Sequence, residues 1–288
     1  MARAKTKVAV GKSVATRAPR DVATVDAELL AQIAADSGAG FEEATRDAYA
    51  VPFLRVLQDL SPQVKKKMAG YVEGAAPGMI YNTVTKEVFT ALRVIPCYYS
   101  QAFIEWIPRT DKAAGGGNKG FVAAHPATTP LVHKCVREGS RNMLPNGHEL
   151  QDTRQHFVLF VREDGTIDQG MIAMASTQLK VSRRWMSQMK SQLVNVNGRQ
   201  IPAPMFAYSY LLGSEEEAND QGSWYSWTIN DAERVTDPDA YSRARAFRDS
   251  MLSGKVKVNY EEGLEDAHAQ SAPDAPPRDM DEEDEIDA

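Results

Sequence analysis

Three cations and one aromatic residue in a short run of the chain could bind a polyanion. Lys180, Arg183 and Arg184 stand at positions i, i+3 and i+4, and Trp185 follows directly. On a helix this spacing places the three cations on one side. Cations beside an aromatic ring are the groups that bind the phosphates and bases of a single nucleic-acid strand. The alternative interpretation is an amphipathic surface helix whose Trp185 reaches the core.

Two predicted strands carry further aromatic residues on which bases could stack. Phe206, Tyr208 and Tyr210 alternate along the first strand, so we expect them on one face. Tyr225 and Trp227 share a face of the second strand in the same way. If these strands pair, their aromatic faces form a platform for single-strand binding. The alternative is that both faces belong to the core.

A similar aromatic cluster occurs earlier in the chain, where Tyr98, Tyr99, Phe103 and Trp106 are followed by Arg109. It has the same two interpretations, base stacking or core. The residues predicted to bind nucleic acid are Lys180, Arg183, Arg184, Trp185, Lys190, Trp106, Arg109, Tyr208, Tyr225 and Trp227.

Metal binding has only a faint signal in the sequence. His125, His133 and Cys135 fall within a short segment, and Cys97 could be a fourth zinc ligand. Structural zinc sites normally show paired spacings such as C-x₂-C, which this chain lacks. Scattered histidines and buried thiols are the favoured interpretation, so we predict no metal and no cofactor.

The common sequence signatures of enzymes are absent. The chain has no G-x-x-x-x-G-K-[ST] phosphate loop, no G-x-S-x-G elbow and no H-E-x-x-H pair. We therefore predict a protein that is not an enzyme. A metal-dependent nuclease stays open as an alternative, because its carboxylates need not be close in sequence.

Hydrophobic periodicity and turn signals predict an α+β, mostly β protein. A hairpin turn is expected at 163–167, and acidic residues predict a loop at 214–222. Strands are predicted at 87–99, 101–108, 156–162, 170–175, 204–212 and 222–229, with helices at 25–35 and 177–193 and from Pro238 to Gly254. A helix between strands in this order suggests an OB-fold-like barrel core, although other α+β arrangements have the same order.

The charges divide the chain into a basic body and an acidic end. Residues 261–288 carry 12 acids and one base, a net charge of −11. The whole chain carries −6, so residues 1–260 carry +5. We expect residues 1–40 to be a flexible basic arm with a short helix, 41–260 to be the nucleic-acid-binding body, and 261–288 to be a disordered tail. We expect this tail either to lie over the basic groove of the body in place of a polyanion or to bind partner proteins. The residues of this partner-binding tail are Asp279, Asp281, Glu282, Glu283, Asp284, Glu285 and Asp287.

The composition of the chain also indicates its cellular compartment. The N-terminal 20 residues carry six cations but lack the apolar segment of a signal peptide, and no apolar run approaches the length of a membrane span. Only two cysteines occur, which is typical of a reducing compartment. We expect a cytoplasmic protein that does not bind a membrane.

Several motifs across residues 50–230 resemble a family of early-region proteins of tailed bacteriophages. The motifs that carry the resemblance are 51–58 (VPFLRVLQ), 73–83 (EGAAPGMIYNT), 103–109 (FIEWIPR), 176–185 (STQLKVSRRW) and 224–227 (WYSW). With its acidic tail and basic β-rich body, the chain is also similar to phage replication single-stranded-DNA-binding proteins. Such proteins often end in an aromatic residue, whereas this tail ends at Ala288.

This second resemblance implies an OB-fold body whose tail recruits replication enzymes of the phage or its host. The resulting hypothesis is a sequence-tolerant single-stranded-DNA-binding protein of phage DNA replication or recombination, acting in the cytoplasm of the infected bacterium. The alternative from another class is a phage structural or assembly protein whose acidic tail prevents premature association.

Overall fold

The computed structural model describes residues 27–37, 39–40, 42, 51–108, 118–219, 222–254, 258 and 260. Its helices are α1 (Ala27–Ala35), α2 (Leu179–Lys190) and α3 (Pro238–Leu252). Its strands are β1 (Leu54–Val56), β2 (Ile80–Asn82), β3 (Val88–Phe89), β4 (Leu92–Pro108), β5 (Asn118–Pro126), β6 (Val136–Glu138), β7 (Arg141–Met143), β8 (Glu149–Val161), β9 (Ile167–Ala175), β10 (Leu193–Val196), β11 (Arg199–Pro202), β12 (Tyr208–Asn219) and β13 (Gly222–Arg234). None of the described helices has the length and apolarity needed to cross a membrane.

The main sheet is antiparallel and has eight strands, built around the long pair β4 and β8. The other edge of β4 is shared, with β12 pairing its first residues and β5 its last. The free edge of β8 is divided in the same way between β9 and β7. The main sheet therefore forks on both sides of its central pair and does not close on itself.

The predicted mostly β, α+β class is confirmed, but the OB-fold part of the prediction is not. A barrel needs its first and last strands to pair. In the described chain, the strand order β13-β12-β4-β8-β7-β6 runs from one edge to another, and the remaining sheets are a three-stranded sheet β1-β2-β3 and the hairpin β10-β11. Sequence order alone could not distinguish these pairings from those of a barrel.

The strands predicted at 87–99 and 101–108 are largely one strand. β4 runs from Leu92 to Pro108, and Ser100 and Gln101 continue its pairing with β8. A register shift between Pro96 and Tyr98 accommodates the proline, which has no N–H to donate to a neighbouring strand.

Two cores lie on opposite faces of the main sheet. Along β8, Phe157 and Leu159 belong to one core, whereas Val158 and Phe160 belong to the other, because successive strand side chains alternate. The first core contains the buried residues of α3, and the second contains those of α2. We call these sides of the sheet the α3 face and the α2 face.

The helix predicted at 177–193 is shorter than expected. Residues 176–178 form a 3₁₀ turn, and α2 ends at Lys190, so Leu193 begins β10 instead of extending a helical stripe. The Asn195-Val-Asn-Gly run, predicted to end the helix, turns a hairpin. Asn197 and Gly198 have positive φ angles of 52° and 82°. Such angles at both central residues are typical of a two-residue hairpin turn.

Two details of the β12–β13 region also differ from the prediction. Phe206 lies in a 3₁₀ turn and belongs to the α3-face core, whereas Tyr210 belongs to the α2-face core, so these residues do not share one stripe. Residues 214–219, predicted as loop, continue β12, because Glu215 to Glu217 pair with Ser226 to Trp224 of β13. The predicted pairing of the two strands is present.

α3 follows its sequence signals closely. The Asp237 side chain accepts a hydrogen bond from Asp239 N at 2.9 Å, Pro238 is the first helical residue, and Ala240, Ala244 and Phe247 are buried. Near the C-terminal end of the described chain, the ring of Tyr260 meets the ring of Phe53, with centroids 6.4 Å apart. Both ends of the body are therefore at one place on the α3 face.

Candidate nucleic-acid interface

α2 places its cations on the side that faces away from the main sheet. Its buried residues are Val181, Ser182, Trp185 and Met189, which pack on the α2 face. The residues exposed on the outer side include Lys180, Arg183, Arg184 and Lys190. The helical spacing that suggested a group of outward cations therefore corresponds to their positions in the fold.

These four cations differ in their neighbours. Lys180 forms an ion pair with Glu217 of β12, with Nζ 2.6 Å from the carboxylate oxygen. Arg183, Arg184 and Lys190 form no ion pair with any acid that the structure describes. The positive charge available to a ligand therefore comes from Arg183 and Arg184 near the middle of α2 and from Lys190 at its C-terminal end.

Three tryptophans predicted to stack on bases are core residues instead. Trp106 is 0% exposed on the α3 face, Trp185 is 1% exposed and Trp227 is 2% exposed on the α2 face. A base cannot reach a ring face that is packed on all sides. Burial of these rings corrects the predicted role of Trp106, Trp185 and Trp227, and for Trp185 it supports the alternative interpretation made from the sequence.

Of the other residues predicted to bind nucleic acid, the two tyrosines are half-buried and one arginine lies outside the described residues. Tyr208 is half-buried, and its hydroxyl donates a hydrogen bond to Leu193 O at 3.1 Å. Tyr225 is also half-buried, and its ring lies against Gly78, where a Cβ would come within 2.9 Å of the ring carbons. Arg109 lies outside the described residues, as do residues 1–26 and the acidic residues of 261–288.

A polar row that the sequence did not predict crosses the α2 face beside the helix. Asp152 accepts from Gln101 Nε2 at 3.1 Å and from Arg154 Nη2 at 2.8 Å, and Arg154 Nη1 donates to the Tyr99 hydroxyl at 2.9 Å. The Tyr99 ring meets His156, with centroids 5.3 Å apart. Because the partners come from β4 and β8, only their register reveals the row.

Two half-buried aromatic residues lie on this same face. Tyr99 contacts His156, and Phe103 stands between Ala102 and Ile104, whose side chains point to the α3 face. Strand alternation therefore places Phe103 on the α2 face. The sequence placed both in one cluster with Trp106, but Trp106 points to the opposite face. Tyr98, Tyr99 and Phe103 are all half-buried, but Tyr98 packs against the α3-face core, so Tyr99 and Phe103 are the half-buried members of that cluster on the α2 face.

His156 and Ser182 form a hydrogen-bonded pair beneath α2. His156 Nε2 lies 2.8 Å from Ser182 Oγ, the distance at which a histidine base activates a serine nucleophile. Each residue is only 1% exposed, however, so no substrate reaches the hydroxyl. Burial lowers the pKa of His156 to about 3, and the nearby charge of Arg154 adds to this effect. We therefore assign the pair to the core.

The four residues considered as zinc ligands do not form one cluster in the described residues. Cys97 is buried, and burial raises the pKa of its thiol to about 12, whereas Cys135 directly follows the 3₁₀ turn that contains the exposed His133. Across the part of the chain that the structure describes, no three His, Cys, Asp or Glu side chains are placed to hold a metal ion.

His125 instead takes part in a carboxylate cluster. Its Nε2 lies 2.8 Å from one oxygen of Glu105, and His148 Nδ1 lies 2.6 Å from the other. Glu105 is 8% exposed, and burial by itself raises the pKa of its carboxyl group. Hydrogen bonds with His148, His125 and Asn146 outweigh this effect, so the pKa lies below its usual value. The two nitrogens meet different oxygens instead of converging on one point, which is the geometry of hydrogen bonding to a carboxylate.

Most of the chain is similar to a known family of phage proteins. The family model described as "Pam3 phage gp34-like protein" matches residues 21–257, which is most of the chain. No curated protein and no solved structure matches it. The phage part of the resemblance seen in the sequence is therefore confirmed, and the likeness to single-stranded-DNA-binding proteins stays a prediction.

Proposed function

The chain belongs to the Pam3 phage gp34-like family, and we propose that it binds single-stranded DNA without sequence preference during phage DNA replication or recombination. The observation that carries this proposal is the group of exposed cations on α2. Arg183, Arg184 and Lys190 form no ion pair with a described acid, so their charge is free to neutralise phosphates.

The sequence around α2 extends this positive character. Between Asp168 and Glu215 the chain has no acidic residue and five cations. A long stretch with positive charges and no negative ones attracts the phosphates of a polyanion and contains no group that repels them. In the fold this stretch supplies α2, the hairpin β10-β11 and the start of β12, which lie next to one another.

Base contact in this proposal comes from Tyr99 and Phe103. Both are half-buried aromatic residues on the α2 face, and Tyr99 is joined to α2 through His156. Stacking on such rings is tolerant of sequence, because every base has a π face. The row from Gln101 to Tyr99 fixes the ring of Tyr99 through its hydroxyl, which reduces the entropy lost when a base stacks on it.

The acidic tail acts as a competitor of DNA and as a contact for replication proteins. Tyr260, just before the tail, packs on the α3 face, opposite to α2. The 28 residues that follow can span about 90–100 Å when extended, enough to pass around the edge of the sheet. A tethered polyanion of this length reaches the cations of α2 at high effective concentration.

The test is binding of the full chain to a labelled oligonucleotide, single-stranded or duplex, over a range of salt concentrations. We expect much tighter binding to the single strand, because a duplex hides the base faces, and a steep fall of affinity with salt. Equal affinity for duplex, or no binding at low salt, would contradict the proposal. Loss of the oligonucleotide only when Mg²⁺ is present would favour the nuclease alternative.

A further inference from the structure

The hairpin β10-β11 stands out from the rest of the fold. It is a two-stranded sheet of its own, and all of its residues except Val194 are exposed. A hydrogen bond from Ala203 N to Gln192 O at 2.9 Å closes its open end, and a hydrogen bond from the Tyr208 hydroxyl to Leu193 O at 3.1 Å holds it to β12. An isolated hairpin is only marginally stable in water, so a ligand that packs on this one would add to its stability.

The two faces of the hairpin carry different side chains. Val194 pairs with Ile201, and Val196 pairs with Arg199, so these four side chains share one face. Val196 is 47% exposed and Ile201 is 43% exposed. One face of the hairpin therefore presents branched apolar groups beside a single cation, and a surface of this kind left in water points to a missing partner.

The charges around the hairpin indicate what that partner is. The hairpin begins three residues after Lys190 and contains Arg199, and no acid occurs between Asp168 and Glu215. An apolar surface that continues a row of cations is complementary to a ligand with both phosphates and exposed bases. A second copy that docked through this same face would bring its own Arg199 and the cations of its α2 to the contact and would be repelled.

We propose that the apolar face of β10-β11 is a second contact site for single-stranded DNA, with Val196 and Ile201 packing on unstacked bases and Arg199 binding a phosphate. This inference rests on the proposed function and adds a site to it. Apolar side chains that insert beside bases occur in other DNA-binding proteins, where they exploit unstacking. In a single strand the bases are already unstacked, so this cost is absent.

The first experiment replaces Val196→Thr and Ile201→Thr together in the full chain. Threonine keeps the β-branched shape that suits a strand but makes the surface polar. We expect affinity for a labelled single strand to fall about tenfold. The slope of log affinity against log salt concentration should stay unchanged, because no cation is lost. The matched control is Val122→Thr with Val136→Thr, two exposed strand valines elsewhere, which should leave the affinity unchanged.

The outcomes separate the two proposals. If the wild-type chain binds no single strand, the proposed function fails, and this inference fails with it. If the wild type binds and the hairpin variant binds equally well, the hairpin inference is wrong, whereas the function stands. If sedimentation shows that the hairpin variant loses self-association while its DNA affinity is kept, a second copy covers this face and the inference is overturned.

A Val196→Trp variant provides an independent measurement should the threonine variant not fold. The new indole lies at an exposed position, whereas Trp106, Trp185 and Trp227 are buried and Trp224 is half-buried, so subtraction of the wild-type emission isolates its signal. We expect saturating oligonucleotide to quench the red-shifted emission of the exposed indole. Unchanged emission at saturation would show that bases do not reach the hairpin.

Discussion

The imidazole of His156 stacks on the indole of Trp185, with ring centroids 4.6 Å apart and planes inclined by 29°. This contact joins the centre of β8 to the buried side of α2, directly below the helix surface that carries Arg183 and Arg184. The position of the cations thus depends on a neutral histidine in the core.

The first prediction concerns the pH dependence of stability. The pKa of His156 is about 3 in the folded protein, because burial disfavours the charged ring, against an ordinary value of 6.5. Since only the unfolded chain takes up this proton between those values, the stabilising contribution is present above pH 6.5 and is lost as the pH falls below it. Urea unfolding should show a loss of about 2 kcal/mol from this residue between pH 7 and pH 5.

The contribution of His156 is isolated by comparing how steeply the free energy of unfolding depends on pH in three proteins. A His156→Gln variant should have a shallower dependence of the free energy of unfolding on pH over that range, whatever its absolute stability. His133→Gln, which removes an exposed histidine, should behave as the wild type does. Identical slopes for all three proteins would mean that His156 takes up a proton in the folded state.

The second prediction distinguishes a core role from a DNA-contact role for Trp185. Replacing Trp185→Ala removes a fully buried ring that contacts His156 and Tyr210, so the free energy of unfolding should fall by about 3–5 kcal/mol. The exposed neighbour Ser187→Ala should change it by less than about 0.5 kcal/mol. A Trp185→Ala protein of normal stability that no longer binds DNA would restore the stacking role.

The third prediction concerns the cations of α2. Replacing Arg183→Ala and Arg184→Ala together should weaken single-strand binding and flatten the slope of log affinity against log salt by about one to two units, since each phosphate contact contributes about 0.7. Stability should be nearly unchanged, because both side chains are exposed. Arg245→Ala with Arg248→Ala on α3 removes the same charge from the other face and should leave the slope closer to the wild-type value. Equal slopes for the two double variants would place the DNA elsewhere.

The fourth prediction concerns the acidic tail. Deleting residues 265–288 removes ten acids and one base, and we expect tighter single-strand binding, most clearly at low salt. The deletion keeps Tyr260, whose ring stacks on Phe121 and whose hydroxyl accepts a hydrogen bond from Gln155 at 2.7 Å, so thermal stability should be unchanged. Unaltered affinity at low salt would leave partner recruitment or solubility as the role of the tail.

Local signals in the sequence predicted much of the secondary structure. The cap at Asp237, the proline at 238 and the apolar spacing of α3 define that helix without tertiary information, and the turn at 163–167 joins β8 to β9 as expected. The pairing of the strands into an open sheet was not predictable in this way. Whether β4 pairs with β5, β8 or β12 depends on contacts between distant residues, and the structure shows that it pairs with all three.

In the candidate site, too, local features were predictable from the sequence, whereas features that depend on contacts between distant residues were not. Exposure of Arg183 and Arg184 follows from helical spacing, whereas the row joining Tyr99, Arg154 and Asp152 requires the register of two strands. The tryptophans illustrate the limit most clearly. Aromatic residues that alternate on strands are equally suited to a core or to a base, and only the packing around Trp106 and Trp227 distinguishes the two.

The contact between Phe53 and Tyr260 has a consequence for how the chain can be rearranged. These rings come from the beginning and the end of the body, and their centroids are 6.4 Å apart. Because the ends of the body are neighbours, a short peptide could join them and new termini could be opened in an exposed turn, such as that at Asp164 and Gly165. We therefore expect a circularly permuted body, in which the strands follow one another in a different order along the chain, to form the same sheet.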